Sequence, residues 1–418
     1  MGMSAPDIAV KEVVGLSEFM ALEKEWNNLV ETTCGEPFYR HEFIRTWIDN
    51  FAPGAQLSIL TGRDGTGRLV AAFPLMKARG FACGIPARQT VSTANPHSCR
   101  FDMIAEDGTA AGKSFLAYLA ADKSWDVLKI TDVPAGGNAW HLYKAAEAAG
   151  FPVGTWESQR SPYLPLPSSY DKLLAPMSSG FRANLRRRRR RLEKLGTVTV
   201  ERVTGGKHLQ ERLEECFAIE QKGWKGLAGT AILQDTKTRG FYTQLAHIAA
   251  SRNYLSLFLL KLNGQPIAFH YGFTYGGTYY MPKLGYDEAF GGGSPGLVLL
   301  EEIMKDCISR GLKGCDFLGL DVPWKTDWSK QVCRHDWLFI YRNAVFGRAL
   351  HEVKFKWIPA AKHLLHEFHE RLRPSVRLRA NALALRGLRL RAAALALRGL
   401  RLHGLPSAAH RRNNGKAS

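Results

Sequence analysis

Apolar residues crowd and alternate in LSLFLLKL, PIAFHYGFTY and TYYMPKLGY, between Leu255 and Tyr286, and the turn pairs Asn263-Gly264 and Gly276-Gly277 separate them. Three strands in an antiparallel meander are predicted. After the glycine-rich GGGSPG (Gly291 to Gly296) the period changes. Leu297, Leu300, Ile303, Met304 and Ile308 recur at helical spacing up to Gly311, and CDFLGL then reads as a short buried strand. Upstream, TVTVERV is predicted as a strand, and ERLEECFAIEQKGW and TRGFYTQLAHIAASR as helices. From residue 197 the order is strand, helix, helix, meander, glycine loop, helix, strand.

The first 155 residues repeat that order in outline. Helical stretches at Ser17 to Glu31 and Tyr39 to Asn50 precede QLSILTG, the turn Asp64-Gly65, RLVAAFPLMKA and a third strand. Helix GKSFLAYLAAD, strand WDVLKITDV and helix NAWHLYKAAEAAG follow. The repeat is one of element order, without detailed identity. The proline-rich stretch Ser161 to Gly180 is the best boundary between the halves. Near the C-terminus ALALRGLRL occurs twice, 12 residues apart, but its leucines fall all around the helical wheel, which predicts a loosely ordered extension. Contact with an anionic membrane surface or a partner is the functional alternative for that tail.

Charge sharpens this division. The 418 residues carry a formal charge of +19; residues 351 to 418 supply a surplus of 12 and the run Arg186 to Arg191 another 6, so the rest is nearly neutral. The basic balance therefore describes one tail and one run, and argues against a protein-wide field for nucleic acid. With 45% hydrophobic residues the chain can bury extensive cores. Seven cysteines without a CxxC pair, no apolar signal core at the start and no apolar run near the roughly 20 residues of a membrane span predict a cytoplasmic protein with reduced thiols.

A glycine loop opening a helix presents free backbone N–H groups and the positive end of the helix dipole, a site for phosphate or pyrophosphate. Gly291, Gly293 and Gly296 satisfy GxGxxG, with Asp316 20 residues on. A dinucleotide site is nonetheless excluded, because that fingerprint belongs to a parallel sheet and this loop follows an antiparallel meander; Leu297 stands where a P-loop needs Lys.

Meander, glycine loop, helix and strand in this order resemble the GNAT (Gcn5-related N-acetyltransferase) fold. More narrowly, FRANLRRRRRRLEKLG, Trp224-Lys225-Gly226 followed by GTAI, YYMPKLGYDEAF, SPGLVLLEE and DFLGLDVPWKTDW resemble the CelD/BcsL-type acetyltransferases of the BioF2-like group, which are akin to the FemAB aminoacyltransferases. The resemblance covers roughly residues 8 to 345. It implies an α/β class with mixed sheets, a tandem GNAT-like (acyl-CoA N-acyltransferase) fold with a basic C-terminal extension. The implied division is a degenerate GNAT-like domain at 1–160, linker and basic helix at 161–196, a second GNAT-like domain at 197–350 and a basic tail at 351–418. The usual pyrophosphate signature Q/R-x-x-G-x-G/A is absent and SPG stands in its place, as in the FemAB-like relatives.

The implied activity is transfer of an acyl group, acetyl above all, from acyl-CoA to an amino or hydroxyl acceptor, a saccharide of polysaccharide or cell-envelope biosynthesis in particular. The alternatives are a FemAB-like transferase using aminoacyl-tRNA and a non-catalytic polyanion binder. The donor would sit on Gly293, Ser294, Pro295, Gly296 and Leu297. Lys325 matches the lysine of the FemAB-like FK motif and would supply positive charge, with Asp321 orienting it or acting as base; Tyr280 would protonate the leaving thiolate. Glu220 and Trp224, four apart and so on one face of one helix, would flank the acceptor together with Lys225, His270, Asn95 and His97. The arginine run reads as a solvated helix face or as a clamp for donor phosphates or a polyanionic acceptor, with Leu185, Leu192 and Leu195 facing inward. It has no interleaved aromatics, which argues against RNA. His97, Cys99 and Asp102 lack a fourth ligand, so no metal is expected.

Overall fold

The computed structural model describes residues 8–365 and 367. It divides into a unit ending at Lys354 and a second beginning at Phe355, whose described residues are helical. Most of the 351–418 tail lies outside the described residues.

The first unit is organised by one mixed sheet of thirteen strands: β1 (Ala9–Val13), β2 (Gln56–Arg63), β3 (Leu69–Ala82), β4 (Ile85–Ser92), β5 (Ile104–Ala105), β6 (Val127–Pro134), β7 (Val153–Pro165), β8 (Val198–Val203), β9 (Leu255–Leu262), β10 (Gln265–Tyr275), β11 (Thr278–Tyr286), β12 (Gly314–Asp316) and β13 (Val332–Tyr341). The order is β1-β2-β3-β4-β6-β13-β7-β12-β11-β10-β9-β8, with β5 appended to β3. The repeat of element order is visible in the pairing. β1 to β4 run antiparallel with β6 parallel to β4, and β8 to β11 run antiparallel with β12 parallel to β11. Asn263 and Gly264 both take positive φ (51° and 82°), the conformation a two-residue hairpin turn demands, and so make the β9–β10 turn read from the sequence.

Helices cover both faces. On one, Glu23–Thr33 and His41–Phe51 pack beside Leu209–Lys222 and Thr236–Ser251, so a single core spans both halves. Phe43 meets Phe241 edge to face at 5.6 Å across that seam. Both rings are buried, each contributing on the order of 2 kcal/mol. On the other face Gly108–Ala121 and Ala139–Ala148 cover the first half, while Pro295–Ser309 and the basic helix Ser179–Glu193 cover the second.

Three expectations are corrected. The proline-rich stretch from Ser161 is not all linker: β7 runs through it to Pro165, pairing with β13 and then β12. CDFLGL is a strand only to Asp316, because Leu318 and Gly319 both turn left-handed (φ 51° and 59°) and break the ladder. Glu220 and Trp224 do not share a helix, since the helix from Leu209 stops at Lys222 and Gly223 is extended; Glu220 is buried and Trp224 is 60% exposed.

Candidate functional site

β11 and β12 pair through only three rungs, Thr278/Gly314 to Tyr280/Asp316, and then part. The opening between Met281–Tyr286 and Phe317–Leu320 is a cleft of about 360 Å³, closed on its other sides by Glu220, Trp224 and Lys225, by Val322, Trp324 and Lys325, and by Pro96, Cys99 and Gln159 of the first half. Leu284, Tyr286 and Trp324 also line a second cavity of about 250 Å³, which reaches the glycine loop through Gly291, Ser294, Gly296 and Leu297 and is flanked by Asn184, Arg188 and His270. The two cavities are thus joined along one wall.

The loop's sequence explains its shape. Ser294 is left-handed (φ 50°) and caps the helix Pro295–Ser309, whose first residue is a proline that needs no N–H. The Leu297 and Val298 amides both donate to the Ser294 carbonyl (3.0 and 3.2 Å) and Pro295 has no N–H, so the first turn leaves the Gly296 amide, beside the cavity, without a partner in the helix. Gly291 and Gly292 have open space where a Cβ would stand. Gly293 does different work: a Cβ there would lie 2.3 Å from Leu192, so the glycine lets the basic helix pack on the loop. Leu185 and Leu192 of that helix are buried as expected, whereas Leu195 is exposed. Of the arginine run, Arg188 lines the loop cavity and Arg191 donates to the Gly292 carbonyl at 3.2 Å. His270 is buried against Gly296, and burial lowers its pKa to about 3, so the imidazole is neutral. It lines the loop cavity and is not among the residues that line the larger cleft.

Lys325 is 8% exposed. Its Nζ donates to the Leu318 carbonyl, aimed by the two left-handed residues, and lies 5.4 Å from the Trp324 ring. Burial lowers its pKa to about 8, with Asp316 opposing the shift. Asp316 Oδ1 accepts from the Leu318 amide at 2.9 Å, and Oδ2 accepts from Arg100 at 2.6 Å. Arg100, buried, also donates to both oxygens of Glu36 at 3.0 Å. The lysine's anchoring turn is thus tied to the first half by a buried ion triad. Asp321 is exposed and lies outside the lining of the cleft. Tyr280 is buried in the paired part of β11, edge-on to Phe38 at 5.3 Å, and also lies outside it.

Glu220 is held from two sides. Oε1 accepts from Lys225 at 2.7 Å and Oε2 from the Ile232 amide at 2.8 Å, and Lys225 also donates to the Leu284 carbonyl at 2.8 Å. Lys283 completes the cluster, 3.8 Å from Glu220 Oε1. Asn95 organises its own loop, accepting from the His97 amide at 2.9 Å. His97 stacks on Phe51 at 5.4 Å and meets Tyr242 Oη at 3.1 Å; burial first, then Lys283, lowers its pKa to about 4. Neither Asn95 nor His97 lines the cleft. Lys283, Arg100 and Gln159 escaped the sequence reading, while Asp316 stood out only by its spacing from the glycine loop and Arg188 only as one of the arginine run. A lysine inside the apolar run TYYMPKLGY was the one local signal available for any of them. Among the described residues no group of His, Cys, Asp or Glu could hold a metal, and no helix is long and apolar enough to cross a membrane.

Residues 179–326 match the family described as Acetyltransferase (GNAT) domain. Among solved structures, FemX is similar at 13% identity over 83% of this chain and 99% of its own, with a TM-score of 0.53. The L-PGS of Bacillus licheniformis aligns at 13% identity over 79% of this chain and 94% of its own, TM-score 0.45. A tandem GNAT protein from the clavulanic acid biosynthesis pathway aligns at 13% identity over 80% and 99%, TM-score 0.43. No curated protein sequence matches the chain. Residues 179–326 have the fold of the GNAT acetyltransferases, and the strand pairing of the second half is repeated in the first.

Proposed function

We propose that the chain is an acyltransferase that takes an acyl group, acetyl first among them, from a CoA thioester and passes it to an amino or hydroxyl group in the cleft. One observation carries this reading: a helix N-terminus flanked by Arg188, suited to a pyrophosphate, lies in a cavity that shares Leu284, Tyr286 and Trp324 with a cleft that holds a buried lysine. The thioester would run from the glycine loop along Leu284 and Tyr286 between the parted strands. Attack by the acceptor forms its bond to the carbonyl carbon, collapse breaks the carbon–sulfur bond, and the proton lost by the amino or hydroxyl group passes through solvent to the departing thiolate, which leaves as CoA. Lys325, itself buried, supplies positive charge where oxyanion or thiolate charge develops. The resemblance to CelD/BcsL-type enzymes supports a saccharide acceptor of envelope or exopolysaccharide assembly.

Titration with acetyl-CoA and free CoA, followed by thermal unfolding, tests the donor. Ligand at 100 times its Kd should stabilise the protein by about 2.7 kcal/mol, and Arg188→Ala should weaken binding about tenfold or more. The resemblance to the FemAB aminoacyltransferases keeps aminoacyl-tRNA as the second donor. In that case CoA leaves the melting temperature unchanged and transfer activity is destroyed by ribonuclease.

A further inference from the structure

Three lysines line the cleft, and two are fully engaged. Lys225 Nζ donates to Glu220 and to the Leu284 carbonyl, and Lys325 Nζ donates to the Leu318 carbonyl. Lys283 differs. Its side chain is 13% exposed; it forms a long ion pair with Glu220 and, among the described residues, no hydrogen bond. The nearest carboxylate oxygen, Glu220 Oε1 at 3.8 Å, is already held at 2.7 Å by Lys225, and the other oxygen is held by the Ile232 amide. Its other neighbours include the face of the Tyr242 ring at 5.4 Å, the Lys225 ammonium, Cys99 and His97, which is neutral. A largely buried lysine that shares its one carboxylate, at long range, with a second lysine is under-paired, and an arriving anion would complete its pairing.

Direction along the strand says where that something sits. Neighbouring residues of β11 face opposite sides. Leu284 lines the loop cavity with His270 and Gly296, whereas Lys283 faces Glu220 and Tyr242, away from the glycine loop. We infer that Lys283 binds an anionic group, carboxylate or phosphate, carried by the acceptor, so that the enzyme selects acidic acceptors over their neutral counterparts. This rests on the acyltransferase reading above. The same anion chemistry could arrive on a dicarboxylic acyl chain, which the test separates.

The full chain is titrated, with and without CoA, against two matched pairs that differ by one anionic group: glucosamine 6-phosphate against glucosamine, and alanine against alaninamide. Charge-assisted pairing at a largely buried site should favour the anionic member of at least one pair about tenfold or more. Lys283→Gln should erase that preference, Lys283→Arg should retain most of it, and CoA affinity should be unchanged in both variants. Equal binding of neutral and anionic members, no binding of any anionic member, or a preference that survives Lys283→Gln overturns the inference. So does a preference for succinyl-CoA over acetyl-CoA that Lys283→Gln removes, because the anion then belongs to the acyl chain. Failure of CoA itself to bind, with the anionic preference intact in CoA-free protein, overturns the donor assignment and supports the anion site.

Discussion

Replacing Lys325 with Met separates what the lysine does for the reaction from what it does to stability. Burial holds its pKa at about 8 in place of 10.5, so the folded chain gives up this proton more readily than the unfolded chain. Between those two pH values the unfolded state binds more protons, and wild-type stability rises with pH through the window. Below pH 8 the charged lysine costs the fold about 3 kcal/mol. Methionine removes that cost but leaves the buried Leu318 carbonyl without its donor, a loss of about 1–3 kcal/mol. Near pH 7 the two effects leave Lys325→Met between neutral and about 2 kcal/mol more stable. At pH 10.5 the folded wild type already holds a neutral amine, so the variant's relative stability should fall by about 3 kcal/mol. Urea unfolding of both proteins at the two pH values measures this difference, from which every other titrating group cancels. Thiol release from acetyl-CoA should meanwhile fall about 100-fold in kcat with donor affinity little changed, and in the wild type it should decline above pH 8. A stability difference that ignores pH, or a variant that loses several kcal/mol at pH 7 while keeping its kcat, would refute the reasoning.

Gly296→Asp should abolish stabilisation by CoA while leaving the melting temperature of the free protein within a few degrees, because a Cβ there meets only Tyr286 at 3.5 Å. Gly293→Ala, in contrast, drives a methyl to 2.3 Å from Leu192 and should cost about 1–3 kcal/mol in urea unfolding, since the basic helix must shift off the loop. Arg100→Met strands the carboxylates of Glu36 and Asp316 and should cost about 3–5 kcal/mol; a loss below 1 kcal/mol would show that the triad does not hold the Leu318 turn.

What was legible in the sequence is what local chemistry encodes. The turn pairs and two-residue alternation gave β9 to β11, and the change to helical period after GGGSPG gave the helix from Pro295. The glycine loop stood out by its own residues and Lys325 by a family motif of a few residues; the structure places the first on the loop cavity and the second on the cleft. β13 and the far part of β7 were missed because their partners are distant: Val332 pairs with Pro162, and prolines in a strand read locally as a boundary. The Arg100–Asp316 pair joins residues 216 apart, and nothing beside either residue announces the other. His270 was read correctly as a strand residue facing one side, but which cavity lay on that side depended on a helix that begins 25 residues later.

The position of β13 has a consequence for how the chain comes to be folded. Val332–Tyr341 is made last among the strands, yet it lies between β6 and β7, the strands that complete the first half. A ribosome-bound chain that has finished residues 8–165 therefore carries a sheet with a strand-wide gap between β6 and β7, flanked by unpaired backbone groups, until nearly 170 further residues have emerged. The first half cannot be completed as a free-standing body, and the second half gives up its own final strand to complete it. Two copies of one architecture have become a single folding unit, so neither half expressed alone supplies all the strands around the cleft.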